Sequence, residues 1–179
     1  LQNPQEFIPL NNTNFTFDVK AFNCKKPDMN QFLLRNAAKH MRQGLSMTWV
    51  LPKEHQHNGK KSLIAAYYTL AMGNVGKEDI PKDTGLGSMP RYPAPVAKLA
   101  RLAISAELQG QGYGEKSLVY AIKHVVKLTS DGAGLSAIGM VLDVLDDDAK
   151  GFYDKFDFFS VLADNPMRLF VPMHLCRQI

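Results

Sequence analysis

The chain has 179 residues, 45% of them hydrophobic, with a net charge of +4 and two cysteines. It can therefore bury a core of its own and reads as a single soluble domain, 15–179, behind a lead-in of residues 1–14. Several classes are excluded at this level: no apolar run approaches the roughly 20 residues of a membrane span, no internal repeat is present, and Cys24 and Cys176 are too few for a disulfide framework or a metal cluster. The N-terminus lacks a signal-peptide pattern, so the expected location is the cytoplasm, without membrane contact.

In chain order, Phe15 to Ala21 reads as a first strand. Pro27 suits the first turn of a helix and Gly44 its C-terminal cap, with Met29, Phe32, Leu33, Ala37 and Met41 near helical spacing. Ser46 to Pro52 and Leu63 to Met72 read as strands around a polar hairpin loop, Glu54 to Lys61. His55-Gln56-His57 in that loop has no carboxylate or Cys at ligand spacing, so no metal is expected. Asn74 to Ala94 has no periodicity and reads as a long loop near a substrate. An apolar strand, Val96 to Ser105, leads to a helix from Glu115 to about Ser130, whose Leu118, Ile122, Val125, Val126 and Thr129 share one face. Gly134 to Val144 reads as a buried strand parallel to Val96 to Ser105, because a helix connects the two. A further helix and a strand pair complete the chain.

Between the strand and the helix lies Gln109-Gly110-Gln111-Gly112-Tyr113-Gly114. Glycines at alternate positions let successive backbone N–H groups converge on an anion, and the following helix adds its positive end. A P-loop does not fit, since Glu115 precedes Lys116-Ser117, and the dinucleotide spacing fails at its third glycine. A plain structural turn is the alternative.

The segment matches Q/R-x-x-G-x-G/A, the pyrophosphate signature of GNAT-superfamily N-acetyltransferases, which the chain resembles. About forty residues later, Ala149-Lys150-Gly151-Phe152-Tyr153-Asp154-Lys155-Phe156-Asp157-Phe158 resembles the second landmark of that superfamily, with Asp157 in place of a glycine. Phe22-Asn23-Cys24-Lys25-Lys26-Pro27, followed by Gly44 to Val50 and by Ala100-Arg101-Leu102-Ala103-Ile104, is similar to the acetyltransferase toxins of bacterial type II toxin-antitoxin modules. Met47 departs from that pattern, where a basic residue is expected. The resemblance implies an α/β (α+β) GNAT fold, with a central mixed, mostly antiparallel sheet, two splayed parallel strands and helices on both faces.

It also implies acetyl-CoA as cofactor. The Leu102 N–H would meet the thioester carbonyl, with Ala103 and Ile104 along the pantetheine arm. Gln109, Gly110, Gln111, Gly112, Tyr113, Gly114 and Glu115 would surround the pyrophosphate, and Asp146 would take a further cofactor slot. Tyr153 is the expected general acid: a phenol near pKa 10 lies within about two units of a thiol near 8.5, so proton donation to the leaving thiolate is nearly balanced. The alternative is that Tyr153 only packs beneath the cofactor. Glu107 is placed where a base could act, or is an inert solvated carboxylate. The toxin resemblance implies aminoacyl-tRNA as substrate, a ribbon-helix-helix antitoxin as partner and a homodimer. Arg35, Lys39 and Arg42 form a basic stripe that suits RNA phosphates or is merely a solvated face; Arg91 and Lys98 are further RNA-binding candidates. A GNAT enzyme acting on a small amine or on protein amino groups stays open.

Overall fold

The computed structural model describes residues 6–53, 61–89, 91–130 and 134–179. The 54–61 hairpin loop with its histidine pair falls largely outside them. The strands are β1 (Ile8–Pro9), β2 (Met47–Pro52), β3 (Ile64–Val75), β4 (Ala94–Ile104), β5 (Gly139–Asp143), β6 (Ser160–Val161) and β7 (Arg168–Pro172). They form one mixed sheet of seven strands in the order β1-β2-β3-β4-β5-β7-β6. As expected from their helical connection, β4 and β5 run parallel, pairing Ala97–Leu99 with Met140–Leu142. The pairs β1/β2, β2/β3, β5/β7 and β6/β7 are antiparallel.

The helices are α1 (Pro27–Gln31), α2 (Ala37–Arg42), α3 (Tyr113–Thr129), α4 (Asp147–Tyr153) and α5 (Met173–Cys176). A π turn, Phe32–Asn36, joins α1 to α2. Within it the Ala37 N–H bonds to the Phe32 carbonyl, five residues back. Gly44 ends the run at φ +70°, as its position suggested. The Leu45 N–H reaches the His40 carbonyl and the Gly44 N–H that of Met41, which together make a Schellman cap.

One expected strand is absent. Phe15 to Ala21 contributes only an isolated bridge, Phe17 to Ser62. The Asp18 carboxylate accepts from the N–H groups of Lys20 and Ala21, and this local turn competes with a ladder. The first strand lies instead within the lead-in, at Ile8–Pro9, where Pro9 is tolerated because β1 is an edge strand. The 74–94 connection carries two short 3₁₀ turns, Lys77–Asp79 and Lys82–Thr84.

Packing groups the chain into two compact units, Leu1–Ala71 with Arg101–Leu118 and Met72–Ala100 with Val119–Ile179. The core of the first gathers Phe22, Met29, Phe32, Leu33, Val50, Tyr67 and Ala103, among others. Tyr67 is fully buried, and its hydroxyl is satisfied by the Met29 carbonyl at 2.8 Å. The second unit is built around Val75, Val96, Val141, Leu162 and Phe170.

Candidate functional site

In the first unit, the end of β4 carries Leu102, Ala103 and Ile104. Strand alternation sends Ala103 into the core, while Leu102 and Ile104 are half-buried on the other face. The parallel ladder with β5 occupies Ala97–Leu99, and Leu102 lies further along the strand.

The turn after β4 is anchored from below. Ser105 N–H bonds to the Ala65 carbonyl and Ala106 N–H to that of Asn23, both at 2.8 Å. Gln109 then donates from its side-chain amide to the carbonyls of Cys24 and Ile104, each at 3.0 Å. Gln111 donates likewise to the Glu107 carbonyl at 2.7 Å. Both glutamines therefore hold the loop together through their side-chain amides.

Gly110 and Gly112 are both left-handed, at φ +76° and +81°. A Cβ at either would meet no atom within 4 Å, so this face of the loop is open. The Lys116 N–H bonds to the Gly112 carbonyl at 3.2 Å as α3 begins. The N–H groups of Tyr113, Gly114 and Glu115 accordingly occupy the first turn of a 17-residue helix, where no preceding turn supplies carbonyls. Adjacent N–H groups with a helix dipole behind them make a cradle for a doubly charged oxyanion group.

Glu107 forms an ion pair with Lys53 and lies 3.4 Å from the Ser105 hydroxyl. Its carboxylate thus serves the loop, which favours the inert reading over that of a base. Cys24 is buried, its N–H and Sγ both directed at Asn30 Oδ1, and desolvation pushes its thiol up. Both cysteines are free, as expected for reduced thiols.

In the second unit, Asp146 is the N-cap of α4, its carboxylate accepting from the Ala149 N–H at 2.9 Å. Tyr153 closes the same helix and is buried. Burial pushes its phenol well above the usual value of about 10, so it keeps its proton throughout the neutral range and can donate it. Of the rings beside it, Phe152 belongs to the motif, whereas Phe159 lies one residue past it, and the four phenylalanines between 152 and 159 were the signal.

Of the basic candidates, Arg35, Lys39, Arg42 and Arg91 are exposed. Lys98 differs: it pairs with Asp143 Oδ2 at 2.6 Å, and Arg168 Nε approaches the other oxygen of that carboxylate at 3.4 Å. Its charge is therefore already offset.

The mixed sheet, the parallel β4/β5 pair and the glycine turn into α3 define the GNAT fold. A search of solved structures returns bacterial toxins of that fold. A tyrosine-to-phenylalanine mutant of KacT is 25% identical, with a TM-score of 0.83 and 97% of each chain covered. AtaT complexed with acetyl-methionyl-tRNAfMet is 22% identical, with a TM-score of 0.82 and 97% of each chain covered. A mutant AtaT toxin bound to acetyl-CoA and the C-terminus of the antitoxin AtaR is 21% identical, with a TM-score of 0.74, covering 97% of this chain and 94% of that one. No protein-family model matches this chain.

Proposed function

We propose that the protein is an N-acetyltransferase toxin that uses acetyl-CoA to acetylate the α-amino group of aminoacyl-tRNA and so blocks translation. The observation that carries the reading is the open cradle at 110–115 in a fold shared over 97% of the chain with AtaT complexed with acetyl-methionyl-tRNAfMet. The residues fit the cofactor: positive-φ glycines stand where any side chain would project into the pyrophosphate space, and the helix N-terminus supplies the donors.

Acetyl-CoA supplies the acetyl thioester; this chain supplies orientation, electrostatics and a proton. The Leu102 N–H would face the thioester carbonyl and could polarise it, and Ala103 and Ile104 would hold the pantetheine arm. Tyr153, buried and protonated, would supply the proton for the leaving sulfur. No carboxylate base is assigned, because an α-amino group with pKa near 8 is partly neutral at cellular pH. Arg35, Lys39, Arg42 and Arg91 are the cations proposed to meet tRNA phosphates. A ribbon-helix-helix antitoxin, a homodimer and a cytoplasmic location complete the proposal. Its support includes an antitoxin-bound neighbour and the absence, among the described residues, of any helix long and apolar enough to cross a membrane.

Cell-free translation tests the reading. Added protein should stop synthesis with acetyl-CoA present and spare it with CoA alone. Gly112→Glu, which places a carboxylate in the cradle, should spare it in both. Equal inhibition by wild type and variant would contradict the proposal.

A further inference from the structure

Tyr153 sits in a closed cycle of four aromatic rings. It meets Phe152 at 5.0 Å and Phe159 at 5.8 Å between centroids, with interplanar angles of 72° and 90°. Phe156 closes the cycle, 5.4 Å from Phe152 at 72° and 6.4 Å from Phe159 at 84°. Every contact is edge-to-face, the arrangement in which a ring's positive rim meets a neighbour's negative face and which is lost when either ring rotates. The backbone supports the cycle, since the Phe156 N–H bonds to the Tyr153 carbonyl at 3.0 Å and turns the chain back towards α4.

We propose that Phe159 is a positioning residue for the Tyr153 hydroxyl, the cycle fixing the plane of the phenol so that its proton is held where transfer takes place. The inference rests on the reading of Tyr153 as the general acid. Among the described residues no hydrogen bond holds the Tyr153 hydroxyl, so the position of its oxygen is set by the packing of the ring. Phe152 precedes Tyr153 on α4 and moves with it; Phe159 comes from the far side of the turn, and its edge-to-face contact is the constraint α4 cannot supply by itself. Proton transfer is sensitive to misplacement on the scale of an ångström.

The test compares Phe159→Leu, Phe159→Tyr, Tyr153→Phe and the double variant Tyr153→Phe/Phe159→Leu, with kcat and KM measured on charged tRNA and acetyl-CoA, and Tm by thermal melting. Phe159→Leu keeps an apolar side chain and loses the ring, so kcat should fall about tenfold with both KM values within twofold. Phe159→Tyr should restore kcat. On the Tyr153→Phe background Phe159→Leu should cost nothing further, because the proton it orients is gone. A wild-type kcat for Phe159→Leu beside an impaired Tyr153→Phe overturns the clamp alone. An equal, additive loss on both backgrounds, or a loss tracking Tm in Phe159→Tyr as well, overturns it in favour of plain packing. A wild-type kcat for Tyr153→Phe overturns the clamp and the acid assignment together.

Discussion

At Tyr153 a single atom separates two roles. Tyr153→Phe keeps the buried ring and its edge-to-face partners and removes only the proton, so turnover on charged tRNA should drop about 10²- to 10⁴-fold. Acetyl-CoA affinity by calorimetry should stay within about twofold, and a Tyr153→Phe enzyme with wild-type turnover would place the proton elsewhere. The direction of the phenol's shift adds a pH statement. A donor raised above its usual value of about 10 does not lose its proton through the neutral and mildly alkaline range. The rate should therefore rise as the substrate amine deprotonates near pH 8 and stay level to about pH 10; an alkaline limb near pH 8.5 would point to a different acid.

Among the elements, the turn into α3 was legible because glycine admits left-handed backbone, which Gly110 and Gly112 adopt while Gly114 enters the helix. The roles of Gln109 and Gln111 were not legible, since only the folded loop shows their amides turned onto its own carbonyls. The π turn left no trace in the sequence, since Met29, Phe32, Leu33, Ala37 and Met41 keep helical spacing and Leu33 to Ala37 is an ordinary four-residue step. The expected strand at 15–21 failed because apolar alternation outweighed Asp18, whose turn-forming carboxylate decides the local structure. Gly139 in β5 gave no hint of its constraint. A Cβ there would stand 2.6 Å from the Phe170 ring and closer still to the Val171 carbonyl oxygen, which is backbone and cannot swing aside. Gly139→Ala should therefore cost about 1–3 kcal/mol, read as a lower urea midpoint at unchanged m-value. An unchanged midpoint would show that β7 yields easily.

For the whole molecule, buried thiols and phenols among the described residues contribute to the alkaline limit. Burial raises the thiols of Cys24 and Cys176, the latter to about 12, and the phenols of Tyr67 and Tyr153. The unfolded chain releases thiol protons near pH 8.5 and phenol protons near 10, while the native state holds them, so it binds more protons than the unfolded chain in that range. Stability should be fully present below about pH 8 and fall as pH rises beyond it. A Tm that is flat from pH 8 to 10.5 would contradict the assignment of these groups as buried and protonated.

The identity of the acetyl acceptor separates the toxin from a small-amine or protein acetyltransferase, which would share the cradle, Tyr153 and the fold. The most direct measurement is incubation of the protein with acetyl-CoA and total charged tRNA, followed by nuclease digestion and mass spectrometry of the aminoacyl-adenosine ends. Acetyl should be found on the α-amino group of one or more aminoacyl-adenosines, and be absent when acetyl-CoA is omitted or Tyr153→Phe is used. Unmodified aminoacyl-adenosines, with acetyl-CoA consumed by a free amine or a protein supplied in parallel, would contradict the toxin reading.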